Sequence, residues 1–273
     1  SMMRLISICP SNTELLAYLG LTENLVGLDD FSDWPLSVQH LPKLGPDLSI
    51  DIDALEALNP DLVLASLSVP GMEKNVNELV ARGIPHLVLD PQSLNDIAED
   101  LLTVGNACGI SPHAEVVATA YESFVREMNK RAATVEKIPE LYWEWWPKPI
   151  FTPGKINWLT EVSEISGGRN IFRDVELASI QTDWDDVMRR NPDYIFLAWV
   201  GVRLDKVNTK VVEKRPGFDG LTDEQKSHLY IMEEELYCRP SPRLLEGALK
   251  LSNILHPDIY GDLELPLWIK HNK

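Results

Sequence analysis

Asp51, Asp53 and Leu55, followed by Asn59-Pro60-Asp61-Leu62-Val63-Leu64, return later in the chain as Asp183, Asp185 and Val187, followed by Asn191-Pro192-Asp193-Tyr194-Ile195-Phe196. Each pair is separated by 132 positions, from Asp51 to Asp183 as from Asp61 to Asp193. In both places acidic residues sit where a helix begins, Asn-Pro ends that helix, and an apolar run with the pattern of a buried parallel strand follows. A duplication of this kind predicts two similar halves and restricts the fold to one in which each half completes its own core.

The remainder of each half alternates in the same way. Met3 to Cys9 reads as a strand, and Ser11-Asn12-Thr13-Glu14 as a capping box opening a helix to Gly20. Leu25 to Leu28, Asp61 to Ser66 and Leu87 to Asp90 read as further strands, with helices over Asp47 to Leu58, Met72 to Ala81 and from Ser93 towards Gly109. In the second half, Leu141 to Trp146, Tyr194 to Trp199 and Leu229 to Met232 read as strands. Helices are expected through Trp158 to Ile165, near Asp205 to Lys214 and from Pro242 to Leu255, with a tail packed by Leu263, Leu265, Leu267 and Trp268. Strands and helices in this order define an α/β protein with parallel sheets, two Rossmann-like lobes in all.

Between the halves, about His113 to Lys137 reads as one uninterrupted helix. Val117, Tyr121, Phe124, Met128 and Val135 share a face, Ser111-Pro112 supplies the start and Pro139 the stop. Such a helix is roughly 37 Å long and can bridge two lobes. The expected organisation is an N-terminal lobe over 1–110, a connecting helix over 111–138, and a C-terminal lobe with its tail over 139–273, leaving a cleft between the lobes.

A formal charge of −17 excludes a nucleic-acid backbone as partner. No apolar run reaches the length of a membrane span, and no export signal precedes the first strand. Ser1 and the doubled Met read as an engineered start, so the compartment stays open on these grounds. Cys9, Cys108 and Cys238 are too few and too scattered for a disulfide framework and read as structural thiols. The six histidines lack metal-ligand spacing, and neither a P-loop, a nucleophile elbow nor a dinucleotide fingerprint appears. Neither catalytic residues nor a cofactor are expected; Glu144, set among tryptophans, is the one carboxylate in a setting that suits a general acid.

Ligand contacts are expected where strands of a doubly wound sheet end. Phe31 and Trp34 lie in the acidic, aromatic loop Asp29 to Pro35; Trp143 and Trp145 lie in the tryptophan run, and Trp199 at a strand end. Arg239 and Arg243 flank Pro240-Ser241-Pro242 at the entrance to the last helix, where a guanidinium can fork onto an anionic group.

Ile8-Cys9-Pro10-Ser11-Asn12-Thr13-Glu14-Leu15, Phe31-Ser32-Asp33-Trp34-Pro35, Asn59-Pro60-Asp61-Leu62-Val63, Phe151-Thr152-Pro153-Gly154-Lys155, Gly167-Gly168-Arg169-Asn170-Ile171-Phe172 and Ser241-Pro242-Arg243 stand in this order from residue 4 to about 256. Together they resemble the cobalamin-binding proteins, members of the helical-backbone class of ABC-importer substrate-binding proteins. The resemblance implies two lobes on a rigid helix and a cleft for a large chelate: cobalamin or another corrinoid first, with haem or a ferric siderophore as alternatives. It implies Phe31 and Phe151 as ring-bearing ligand contacts, and Asp53 and Asp185 as the acids that dock on arginines of an ABC permease. Where family members carry further tryptophans, this chain has Asp47, Ser66 and Ser179. By the resemblance the protein is a monomeric binder, not an enzyme, working outside the cytoplasm; a cytoplasmic corrinoid-handling or sensing protein on the same fold is the alternative.

Overall fold

The computed structural model describes residues 2–266, so the expected packing of Leu267 and Trp268 lies outside the described residues. The chain forms two compact units. The first runs through Pro91 and resumes over Asn95–Glu122; the second comprises Gln92–Leu94 and Ser123–Leu265. Among the described residues no helix is long and apolar enough to cross a membrane.

In the first unit the elements follow as β1 (Leu5–Ser7), α1 (Pro10–Tyr18), β2 (Leu25–Leu28), α2 (Ile52–Ala57), β3 (Leu62–Ser66), α3 (Glu73–Ala81), β4 (His86–Leu89) and α4 (Leu94–Ala107). Helix α5 (Ser111–Ala132) starts in this unit and crosses into the second as one continuous helix. The strands form a parallel sheet ordered β2-β1-β3-β4. Ile6, Val63 and Ala65 pack on one face against Leu44, Leu55 and Leu79. Burial on both faces explains why β3 is apolar along its length rather than alternating.

Helix α1 does not open with the expected capping box. It begins at Pro10 with Cys9 in the cap position and no side-chain cap; Ser11 thus lies inside the first turn, with its hydroxyl 3.3 Å from the Cys9 thiol. Helix α5 stops five residues short of Lys137. Thr134 turns its hydroxyl back onto the Arg131 carbonyl at 2.7 Å, which competes with helix continuation. Within its first half, α5 lies so close to α4 that a Cβ at Gly105 would meet the Ala114 Cβ at 2.2 Å, so only glycine fits there.

The second unit continues with β5 (Glu140–Glu144), β6 (Trp146–Pro147), β7 (Ile150–Pro153), α6 (Trp158–Ile165), β8 (Arg169–Asn170), β9 (Ser179–Thr182), α7 (Trp184–Arg189), β10 (Tyr194–Leu197), α8 (Lys210–Glu213), α9 (Asp223–Ser227), β11 (Leu229–Ile231), α10 (Glu234–Tyr237), α11 (Leu244–Leu255) and α12 (Pro257–Tyr260). Its main sheet is parallel, ordered β11-β10-β5-β8, and a small antiparallel sheet β6-β7-β9 is added to it.

The duplicated segments adopt one design twice. Asp51 caps α2 by accepting from the Ala54 amide at 3.0 Å, and Asp183 caps α7 by accepting from the Asp186 amide at 2.9 Å. Asn59 and Asn191 both take left-handed conformations, with φ of 51° and 49°. Asp61 then accepts from the Arg4 amide at 2.7 Å and Asp193 from the Glu140 amide at 2.8 Å, so each aspartate fastens the end of its own sheet.

Candidate functional site

Exposed apolar side chains occur over much of the surface, and some of them stand at the carboxyl ends of the parallel strands. In the first unit these are Phe31, 54% exposed, beyond β2, and Leu67 and Val69, each 39% exposed, beyond β3. In the second they are Trp146, 41% exposed, beyond β5, and Val200 beyond β10. Leu67, Val69 and Val200 were not singled out by residue type. Their signal was positional, since each follows directly on a strand that the sequence did locate.

The Phe31 loop is held from below by Asp29, which is fully buried. One carboxyl oxygen lies 2.5 Å from the Ser32 hydroxyl, and the other accepts from the Phe31 amide at 2.9 Å. Ser32 contacts the Thr13 hydroxyl of α1 at 2.7 Å, and Thr13 contacts that of Ser7 at 2.7 Å. Burial, with Asp47 adding to it, raises the Asp29 pKa to about 6, against the bonds from Ser32 and Phe31. Trp34 is half-buried, with its ring 5.6 Å from that of Tyr18.

In the second unit Trp146 stands opposite Phe151 in the β6–β7 pair. The Trp145 amide donates to the Phe151 carbonyl at 2.8 Å, and the Val200 amide to the Trp145 carbonyl at 3.0 Å. Trp145, Trp146, Phe151 and Val200 are thereby gathered at one edge. Trp145 and Phe151 are half-buried; the Trp145 ring lies 6.0 Å from that of Trp158, and its indole N–H has no hydrogen-bond partner among the described residues.

Two expected contacts are placed elsewhere. Trp143 is wholly buried, its indole donating to Ser163 at 2.9 Å and its ring packed on Phe196 and Tyr237. Strand β5 is an inner strand flanked by β10 and β8, so residues on either face of it go into the core. Trp199 is also buried, and its indole donates to Glu144 at 2.9 Å. Glu144 is not a free acid: it also accepts from the Tyr142 hydroxyl at 2.7 Å and from both ends of the Arg215 guanidinium at 2.6 and 3.2 Å. With three donor side chains on two oxygens, it serves to anchor the tryptophan hairpin. Burial and the neighbouring Glu144 raise the Tyr142 pKa well above its ordinary value. Arg215 also lies 4.9 Å from the Trp184 ring centroid and 3.4 Å from the Pro147 carbonyl.

Arg239 is nearly buried and reaches Glu234 at 3.3 Å. Arg243 precedes α11, and its amide bonds the Ser241 hydroxyl at 3.2 Å. Asp53 and Asp185 occupy matching places in the first turns of α2 and α7. Asp53 is paired with Arg82 at 2.7 Å, whereas Asp185 is exposed and makes no ion pair among the described residues. A hollow of about 740 Å³ in the second unit is lined by Lys210, Glu213, Lys214 and Phe218 with Leu229 at the start of β11, and one of about 410 Å³ includes Tyr194 and His228, at or before the starts of β10 and β11. Among the described residues no cluster of three or more His, Cys, Asp or Glu side chains is placed to hold a metal ion.

Parallel α/β units that present apolar side chains at their strand ends have the form of a ligand-binding protein. The family model for periplasmic binding proteins matches residues 5–236. The ABC transporter substrate-binding lipoprotein YvrC of Bacillus subtilis is 29% identical over 264 residues, 95% of this chain and 82% of that protein. The vitamin B12-binding protein of Yersinia pestis is 29% identical over 250 residues, 91% of this chain and 84% of that protein. The crystal structure of the periplasmic vitamin B12-binding protein BtuF of Vibrio cholerae superposes with a TM-score of 0.75 at 22% identity, covering 95% of this chain and 98% of that one. The chain belongs to the periplasmic binding protein family.

Proposed function

We propose that this protein is the substrate-binding component of an ABC importer and that it captures a corrinoid on the strand-end surfaces of its units. The observation that carries the reading is the exposure of Phe31, Leu67, Val69, Trp146 and Val200 in the loops beyond strands β2, β3, β5 and β10. Apolar and aromatic side chains in such places suit the faces of a large macrocycle, which binds by dispersion and burial of apolar surface. Haem in proteins is held through an axial His, Cys, Met or Tyr. The loops following β1, β3, β5 and β10 contain no histidine or tyrosine and their Cys9 and Met72 are buried, while the loop following β2 carries one exposed histidine, His40; a corrinoid, which needs no protein donor, is therefore favoured by four of these five loops.

Asp185, and Asp53 once released from Arg82, supply the carboxylates for arginines of a permease, and the protein works outside the cytoplasmic membrane. No catalytic step is assigned, because Glu144 is fully engaged by Arg215, Trp199 and Tyr142. Titration with cyanocobalamin tests the reading: the expected result is quenched tryptophan fluorescence and a shifted corrin spectrum, both weakened in a W146A/F151A variant. Binding of haem with no binding of cyanocobalamin or cobinamide would overturn the corrinoid assignment.

A further inference from the structure

The hydrogen-bond chain under the Phe31 loop contains more links than its hydroxyl groups have protons. Asp29 to Ser32, Ser32 to Thr13, Thr13 to Ser7 and Ser7 to the Cys9 carbonyl span 2.5, 2.7, 2.7 and 3.1 Å. Ser32, Thr13 and Ser7 each bring a single proton, and a carbonyl brings none. If Asp29 is ionised, any assignment of three protons to these four links leaves one pair of oxygens facing each other through lone pairs. A protonated Asp29 completes the series: its O–H donates to Ser32, Ser32 to Thr13, Thr13 to Ser7 and Ser7 to Cys9. The second Asp29 oxygen still accepts the Phe31 amide.

The surroundings favour the same state. Asp29 is fully buried and has no ion-pair partner among the described residues. Its titratable neighbours are Asp47, whose charge opposes ionisation, and the buried Cys9 thiol, whose own pKa is raised by burial. Lys43 reaches the Ser32 carbonyl at 3.5 Å rather than Asp29, and Asp30 is turned to the Gly45 amide at 3.0 Å.

We propose that Asp29 is the positioning residue of the Phe31–Trp34 loop and acts as a neutral acid: its proton completes a hydroxyl chain that clamps the loop to α1, and loss of the proton releases the Ser32–Thr13 link. That the loop serves ligand capture rests on the corrinoid reading; the clamp itself does not. A raised Asp29 pKa places the change near pH 6, with the clamped state on the acidic side.

Hydrogen exchange of residues 29–35 in the ligand-free protein tests the clamp, so that a failure of cyanocobalamin to bind is a separate result. After correction for intrinsic rates, wild-type protection is expected to fall roughly tenfold between about pH 5 and about pH 8. In D29N the amide N–H can donate to Ser32 and the amide oxygen can accept from Phe31, so protection should stay high at both pH values. T13V, nearly isosteric but without the hydroxyl, should be weakly protected at both. Equal wild-type protection across the range, or D29N following the wild-type pH dependence, would overturn the proposal. Should either variant fail to fold, the ¹³C carboxyl resonance of Asp29 in the wild type decides, and titration near the ordinary value of 3.8 would overturn it.

Discussion

Each unit buries a carboxylate beneath a strand-end loop, and the two are neutralised in different ways. Glu144, in the second unit, has a guanidinium, an indole and a phenol as donors and is held as a buried ion pair. Asp29, in the first, has hydroxyls and one amide but no cation. A buried ion pair is sensitive to loss of either partner, because the remaining charge is left in a medium that solvates it poorly. A carboxyl group among hydroxyls escapes that cost by keeping its proton, and its contribution then depends on pH. The difference teaches that matched halves can conserve a framework while their interior electrostatics diverge.

The largest effect should come from breaking the ion pair. R215A leaves Glu144 buried without its cation and should lower unfolding free energy by about 3–5 kcal/mol in urea titration. A loss of under 1 kcal/mol would mean that Trp199 and Tyr142 suffice to hold the charge.

Next in size is the pH dependence of the first unit. The native pKa of Asp29 lies above its unfolded value, so its contribution to stability is complete below about pH 4 and is lost as pH rises through about 6. D29N removes that loss. It should exceed wild type by at most about 3 kcal/mol at neutral pH, the equivalent of about two pKa units, and match it near pH 4. Parallel stability curves for the two proteins would put Asp29 in the same class as Glu144.

The smallest effect concerns the exposed acids of the repeat. R82A removes a surface network with Asp53, Glu56 and Glu78 and should cost less than about 1 kcal/mol. Because Arg82 competes for Asp53, the same substitution should strengthen docking to the permease in vesicles, while D185A should weaken it. If R82A weakens docking instead, Arg82 orients Asp53 rather than masking it.

The framework could be read from the sequence because it is specified by local signals. The Asn-Pro stops and the apolar strands of the repeat fall where expected, since breakers act over a few residues, whereas α2, expected from Asp47, begins only at Ile52 with Asp51 as its cap. The aromatic positions were harder. A run such as Trp143-Glu144-Trp145-Trp146 suggests alternation, but β5 ends at Glu144 and is covered on both faces, so sequence parity does not separate core from surface. Set among tryptophans, Glu144 reads as a carboxylate suited to a general acid; that it is paired instead with Arg215, 71 residues away, is tertiary information. The role of Thr13 was likewise hidden, because a threonine near a helix start looks the same in sequence whether its hydroxyl turns to its own helix or, as here, bonds across to a neighbouring loop.

The pairing of β1 with β3 and of β5 with β10 also bears on how two look-alike halves avoid joining wrongly. Arg4 meets Asp61 across 57 residues and Glu140 meets Asp193 across 53, so closing either loop costs nearly the same entropy. Neither sheet has a kinetic advantage from loop length. What separates them is order of synthesis: β4 ends at Leu89, while the first strand of the second sheet starts only at Glu140. Helices α4 and α5 fill the interval. During elongation at about 5–20 residues per second, the first sheet has seconds to register its strands before a competing set exists, which protects a duplicated chain from swapped assembly.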